Sequence, residues 1–344
     1  MKKFLVVRFS SLGDIVLTSV VTQQLKQHYP DSEIAFLTKE KYSSVARLLP
    51  GISRVVCLDH NSGLVSLISQ LSHDKFDYLI DLHSNWRSFW VRKLVPAERS
   101  TKYNSGRFKR ILMVKFPNKA NGHLLTSAAY LQALVPLGIV ASNIQPSLVL
   151  NPEDLKQADI FLTSQGIRSG TPLIGIAPGA RWETKRWHTE RFADTAKKLQ
   201  RTHQARLLLF GSPDESGLLE YLAKQVEGSV IARGLSYNQL ATLISKCRCV
   251  ISNDSGLMHI SAALQVPTVA IFGPTHPKLG FAPKGDHTVV LTTNQPCSPC
   301  SLHGRKKCYQ PSRYCMDNIT VEMVVESAIR LIERPQSSLA VNEK

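Results

Sequence analysis

Short apolar, β-branched runs alternate with amphipathic segments along almost all of this chain, and that alternation limits what it can fold into. In the first half the runs at 4–8, 34–38, 54–58 and 78–82 read as strands. In the second half they are 173–177, 206–210, 230–232, 249–252 and 268–272. Helical periodicity falls between them at 15–28, 188–202 and 237–245, the last with Ser236 as a cap. Near-continuously apolar strands separated by helices imply parallel sheets covered on both faces. The strands are too many for one modest sheet, and the pattern restarts near Thr171-Pro172, just after Gly166 and Gly170. The expected class is α/β: two doubly wound, Rossmann-like domains facing a central ligand cleft. A length of 344 residues suits that division. The expected boundaries are 1–165, 166–319, a C-terminal helix at 320–334 packing back across the domains, and a loose polar tail at 335–344.

Hydrophobic residues make up 43% of the chain and charged residues 20%, a balance that excludes a disordered protein. No apolar run reaches the ~18 residues needed to span a bilayer. The start, Met1 to Val7, has the opening of a signal peptide, but Arg8 and Asp14 interrupt the apolar stretch and no small-residue cleavage site follows. It reads as the first strand of a cytoplasmic protein. The net charge of +16 implies an anionic partner: nucleic acid, a nucleotide-linked substrate or an anionic membrane surface. The densest basic segment, 99–119, carries Lys102, Arg107, Lys109, Arg110 and Lys115 with Tyr103, Phe108 and Phe116 interleaved. A solvated basic loop is the plainer reading of it. Zinc-finger, RNA-recognition and helix-turn-helix signatures are absent, so nucleic acid is not the expected partner.

Three loops follow strands at the positions where such a fold carries chemistry. Phe9-Ser10-Ser11-Leu12-Gly13-Asp14 follows the first strand; Gly13 permits a tight turn, and Asp14 is either an early helix residue or a general base facing the cleft. It is no dinucleotide fingerprint, because G-x-G-x-x-G is missing. Pro178 to Trp187 holds three cations, of which Lys185 and Arg186 are able to neutralise phosphates, with Trp187 as a core anchor; a merely exposed basic loop fits its two tryptophans poorly. Asn253-Asp254-Ser255-Gly256-Leu257-Met258-His259 joins a buried strand to a helix of small residues. Asp254 and Ser255 are able to cap that helix. Its free N–H groups and dipole suit a pyrophosphate, with His259 in the first turn. Three loops from two domains, two of them suited to anions, point to one nucleotide-diphosphate site.

The ordered set of motifs resembles the heptosyltransferases of glycosyltransferase family 9. The resemblance rests on Ser10-Ser11-Leu12-Gly13-Asp14-Ile15-Val16-Leu17-Thr18, Pro178-Gly179-Ala180 with Lys185-Arg186-Trp187, Asn253 to His259, and Phe272-Gly273-Pro274-Thr275, and it spans about residues 4 to 320. It implies a GT-B fold and transfer of heptose from ADP-heptose to the inner core of lipopolysaccharide. In this family the first domain takes the acceptor, here expected at Lys102, Arg107, Lys109 and Arg110. The second takes the donor. The resemblance implies Asp14 as base, and Lys185 with Ser255, Gly256 and His259 on the diphosphate. Asp254 lies near the donor sugar, and Ser10 and Leu257 complete the donor set. Glu215, after the second strand of the second domain, is a candidate for the ribose. One direct displacement inverts the anomeric centre and needs neither covalent nucleophile nor cofactor. Ala180-Arg181 stand where the first-heptose enzymes often carry two threonines, so the Pro-Gly-Ala form looks more like the second-heptose enzyme or a further core transferase. A phosphorylated lipid acceptor on an anionic leaflet implies a peripheral location at the inner face of the cytoplasmic membrane.

Cys297, Cys300, Cys308 and Cys315 form C-x2-C-x7-C-x6-C in a polar segment with His303, Lys306 and Lys307, a spacing suggestive of structural zinc or an iron–sulfur site; free thiols are the expected state, ahead of a metal and then of a disulfide. Cys57, Cys247 and Cys249 read as core. Two other functions stay open at this point: a nucleotide-sugar epimerase or hydrolase of the same fold, and a basic nucleic-acid-binding protein.

Overall fold

The computed structural model describes residues 1–58, 63–117, 123–140 and 145–334. Lys119 of the basic segment and the expected tail at 335–344 lie outside the described residues. The first sheet contains β1 (Lys3–Val7), β2 (Glu33–Lys39), β3 (Arg54–Leu58), β4 (Phe76–Asp81) and β5 (Ala97–Lys102), in the order β3-β2-β1-β4-β5. The second contains β6 (Leu173–Ala177), β7 (Arg206–Phe210), β8 (Val230–Ala232), β9 (Cys249–Asn253), β10 (Thr268–Ile271) and β11 (Thr288–Leu291), in the order β11-β10-β9-β6-β7-β8. Every pairing is parallel. The strand order reverses between β1 and β4 in one sheet and between β6 and β9 in the other. Connections on either side of such a switch run to opposite faces, which leaves a crevice past the carboxyl ends.

Two edge strands, β5 and β11, fall outside the apolar runs. Only Thr101 is buried in Ala-Glu-Arg-Ser-Thr-Lys, and β11 is half-buried throughout. β5 carries Glu98, Arg99 and Ser100 at its centre and offers the periodicity no apolar run, as an edge strand is free to do, whereas β11, Thr-Val-Val-Leu, is apolar but short. The expected helix at 15–28 is two helices, Leu12–Leu17 and Ser19–His28, broken where the Thr18 hydroxyl donates to the Ile15 carbonyl at 2.6 Å.

Alternate residues of β1 serve opposite faces. Leu5 and Val7 pack with Leu67 and Val91 of the helices Gly63–Ser72 and Trp86–Leu94. Phe4 and Val6 join a cluster that continues through Ile15 and Val16 to Ile260, Leu243 and Leu208, so the two sheets share one apolar seam. Helix Pro152–Ser164, N-terminal to the expected boundary at 165, packs on helix Tyr237–Ser245 of the second unit, with Asn238 Nδ2 donating to Asp154 at 3.0 Å and a Lys246–Asp159 ion pair at 2.7 Å. The last helix, Val321–Ile332, departs from expectation. It lies on helix Thr189–His203 and strands β9, β10 and β11 of its own unit rather than crossing back between domains. Its face of Val324, Ala328 and Leu331 fits the core beside Phe192, Ile251 and Val269.

Candidate active site

Loops from both switch points converge. Ser11 caps helix Leu12–Leu17, and Asp14 closes the capping box by accepting from Ser11 N and Ser11 Oγ at 3.1 and 2.7 Å. Asp14 is more than a cap. Its Oδ2 lies 2.8 Å from the Arg8 guanidinium, and its Oδ1 accepts from the Tyr130 hydroxyl at 3.1 Å. Burial alone would raise its pKa, but Arg8, Ser11 and Tyr130 outweigh burial and hold it at about 2. Arg8, read in the sequence only as an interruption of an apolar run, is itself fixed by the carbonyls of Ser10 and Leu82, both at 2.6 Å. Ser10 is half-buried beside it.

The second loop is tied down by Asn253 at the end of β9. The Asn253 amide donates to the Pro178 carbonyl at 2.7 Å and accepts from Trp187 N at 3.0 Å, so one side chain fixes both ends of 178–187. Trp187 is the core anchor expected of it, with Nε1 donating to the Ile319 carbonyl at 3.0 Å. Lys185 is thereby carried to Asp254, at 2.7 Å, with both side chains nearly buried. Asp254 also accepts from the Thr275 hydroxyl. These two partners hold its carboxylate away from the following helix, Gly256–Ala263, whose cap position belongs to Ser255. The capping role expected of Asp254 is therefore corrected to an ion pair with the loop lysine.

The glycines of the two nucleotide-type turns serve the domain interface. A Cβ on Gly13 would lie 2.3 Å from His259 Cδ2, and one on Gly256 would lie 2.5 Å from Leu12 Cδ2. Gly13 is thus required by close approach, not by a tight turn, since the starts of two helices from different sheets press together there. His259 is buried in this contact. Burial lowers its pKa, Asp254 and Asp14 oppose the shift, and Lys185 adds to it, so the imidazole is neutral at pH 7 and feels charges from both domains. Leu257 is half-buried against the shared seam.

Glu215 closes a capping box on Ser212 N at 2.8 Å, and its carboxylate fills the space a Cβ on Gly179 would need, at the carboxyl ends of β6 and β7. Lys102, Arg107 and Lys109 are exposed. Arg110 turns inward: it donates to the Leu279 carbonyl at 3.0 Å, to Thr126 Oγ1 at 3.0 Å and to the Ser105 carbonyl, and stacks on Phe281. Its donors staple the two units together and present no free fork to an acceptor.

Two histidines at the site, His83 and His303, are not among the expected site residues. His83 follows β4, where its backbone N–H and that of Ser84 donate to Asp81 Oδ1, both at 2.9 Å. Burial, then Arg8, lowers its pKa to about 4, and its buried Nδ1 has no hydrogen-bond partner among the described residues. His303 feels Asp14, Lys185, Arg107 and Arg181, and burial lowers its pKa. It is carried by a segment latched onto the Lys185 loop: Thr184 Oγ1 pairs with Arg305 N at 2.8 Å, and Arg313 donates to the Glu183 and Arg186 carbonyls at 3.0 and 2.8 Å. A histidine directly after a strand end, as in Asp81-Leu82-His83, was the available signal for the first. Nothing local marks the second.

The same segment brings Cys297, Cys300, Cys308 and Cys315 around one cavity of about 20 Å³, room for roughly one water. All are free thiols, and burial first, then the neighbouring thiols, pushes Cys315 up to about 12. Among the described residues no group of three or more His, Cys, Asp or Glu is placed to hold a metal ion. Cys247 and Cys249 are core residues, as their apolar settings imply; Cys57 is half-buried.

Two doubly wound parallel sheets whose switch-point loops converge on one another form the GT-B architecture. The sequence model of glycosyltransferase family 9 (heptosyltransferase) matches residues 64–309, and this chain belongs to that family. It is 26% identical over 308 residues to lipooligosaccharide heptosyltransferase 2 of Haemophilus ducreyi, covering 80% of this chain and 84% of that one. It superposes with a TM-score of 0.78 on the family 9 glycosyl transferase of Veillonella parvula, at 25% identity over 96% of this chain and 97% of the other. The fold also matches the ADP-heptose lps heptosyltransferase II of Escherichia coli, with a TM-score of 0.77 and 20% identity over 96% and 98% of the two chains.

Proposed function

We propose that this enzyme moves heptose from ADP-heptose to a heptose-bearing inner core of lipopolysaccharide, with inversion, and that Asp14 is the general base. The donor and acceptor classes follow the names of the similar proteins from E. coli and H. ducreyi. The observation that supports the mechanism is that His259 of the second unit packs against Gly13, next to Asp14 of the first, and feels the charges of Asp14, Asp254 and Lys185 together.

An acceptor hydroxyl attacks the anomeric carbon as the bond from that carbon to the diphosphate oxygen breaks, and its proton passes to Asp14. A carboxylate at about 2 is ionised at neutral pH but weakly basic. Transfer therefore becomes favourable only once the attacking oxygen has begun to bond to carbon and its acidity has risen. The charge leaving on the diphosphate meets Lys185 and the N–H groups at the start of helix Gly256–Ala263. Lys185 is paired with Asp254, so a donor diphosphate would exchange one anionic partner for another and leave Asp254 open to sugar hydroxyls. Neutral His259 is a hydrogen-bond donor that adds no charge to move. The reading includes no cofactor. Acceptor contacts fall to Lys102, Arg107 and Lys109, which stand exposed on the first unit.

The test is ADP release from ADP-heptose, with and without heptose-bearing deep-rough lipopolysaccharide, for wild type and Asp14→Asn. Release that depends on acceptor and falls ~10²–10⁴-fold in the variant, with ADP binding retained, supports transfer with Asp14 as base. Acceptor-independent turnover would move the assignment to an epimerase or hydrolase. Undiminished turnover in Asp14→Asn would remove the base.

A further inference from the structure

Two helices of the first unit expose the same apolar pattern. In helix Trp86–Leu94 the side chains of Trp86, Phe89, Trp90 and Leu94 are 64, 41, 46 and 52% exposed. Along helix Arg107–Lys115 and its cap, Phe108, Ile111, Leu112 and Phe116 are 75, 40, 37 and 45% exposed. Both sets have the spacing i, i+3, i+4, i+8, which places them in one stripe along a helix. The opposite faces, Ser88 and Val91 in one helix and Arg110 and Met113 in the other, are buried, so each stripe is surplus to the core. Neither helix contains Asp or Glu. Arg87, Lys93 and Lys115, apart from the cations proposed for the acceptor, flank the stripes, with the Arg87 guanidinium over the Trp86 ring at 5.2 Å.

The two helices start from one rim. They follow the neighbouring parallel strands β4 and β5, and Ser84 Oγ donates to the Tyr103 carbonyl at 2.6 Å where the two leading loops meet. That rim borders the active site. Ile111 and Lys115 also line an opening of about 460 Å³ with Cys300 and Tyr309 of the second unit.

We propose that these two stripes form one docking face for an anionic phospholipid bilayer, seated at the headgroup level with the cations over lipid phosphates. Tryptophan and phenylalanine at the interface, basic flanks and no acidic residue are the features of a helix lying in the membrane plane. A second copy of the chain is the poorer occupant, because it brings the same net charge of +16. The face would hold the cleft at the membrane surface, where a lipid-anchored acceptor reaches it by its head alone. The proposal goes beyond the transfer reading and is tested without substrates.

The experiment is sedimentation of the full chain with vesicles of phosphatidylglycerol and phosphatidylethanolamine, against pure phosphatidylcholine vesicles. We expect at least tenfold tighter binding to the anionic vesicles, weakening as salt rises. The variant Trp86→Ser/Trp90→Ser/Phe108→Ser should lose at least tenfold of it while keeping the wild-type melting temperature. In Trp86→Phe/Trp90→Phe, binding should persist while quenching of tryptophan emission by brominated lipid disappears. Equal binding to both vesicle types, undiminished binding by the folded triple variant, or quenching that survives in the double variant would overturn the proposal. So would a wild-type dimer, or polynucleotide binding, that the triple variant abolishes while vesicle binding remains.

Discussion

Replacing Arg8 by methionine should move the acid limit of activity. In the wild type the guanidinium lies 2.8 Å from Asp14 Oδ2, with the two side chains 10 and 17% exposed. For charges about 4 Å apart at an effective dielectric of about 20, the attraction is ~4 kcal/mol, or about 3 pH units. Removing it should carry Asp14 from about 2 to about 5, past its unfolded value near 3.9. The sign of the stability contribution then reverses. In the wild type the depressed pKa stabilises the fold by about 2–3 kcal/mol above pH 4, and this is lost as pH falls from about 4 through 2. In Arg8→Met the carboxylate is a burden at neutral pH, and stability should rise as pH falls from about 6 to 4. The orphaned Ser10 and Leu82 carbonyls add a cost of about 1–3 kcal/mol each that does not depend on pH. The assay is kcat/KM for acceptor-dependent ADP release from pH 4 to 8, with urea unfolding across the same range. The wild type should show no acid limb from Asp14 above pH 4; the variant should show one near pH 5 with unit slope. A folded Arg8→Met whose limb has not moved would mean that Asp14 is not the group whose ionisation the reaction needs.

Gly13→Ala sets a methyl 2.3 Å from the His259 ring and should cost about 1–3 kcal/mol while lowering kcat/KM, read by melting temperature and kinetics; a neutral effect would mean that the domain contact is soft. Asn253→Ala leaves Trp187 N and the Pro178 carbonyl without partners, and denaturant unfolding should register a loss of about 2–5 kcal/mol. Lys185→Met should weaken ADP binding at least tenfold by calorimetry, since one charge-assisted contact contributes about 1.5–3 kcal/mol; unchanged affinity would take Lys185 out of the diphosphate site.

The central strands and the three loops after β1, β6 and β9 could be read from sequence, because a buried parallel strand, a helix cap and a glycine turn are set by neighbours within a few residues. What could not be read are the properties created by chain segments far apart. Arg8 interrupts an apolar strand, and only the fold reveals that the loop after β1 bends its carboxylate back onto that arginine. Arg110 sits in a run of exposed cations, yet it alone among the described residues of that run turns inward, because the Leu279 carbonyl and Thr126 are there to receive it. Asp254 has the position of a cap and the partners of an ion pair.

The two turn glycines make the same distinction mechanistically. A glycine before a helix suggests room for a phosphate, and that expectation treats each domain as a separate nucleotide cradle. Here the absent Cβ atoms of Gly13 and Gly256 are occupied by His259 and Leu12 of the opposing unit. The start of the helix that carries the proposed base, Asp14, therefore rests on the start of the helix proposed to receive the diphosphate, with the His259 imidazole between them. Under the proposed mechanism, any shift of one sheet against the other changes the separation of base and leaving group directly. In the proposed direct displacement the attacking and leaving oxygens must stay in line, and a close-packed contact at this point sets that geometry more effectively than flexible side chains reaching across open solvent.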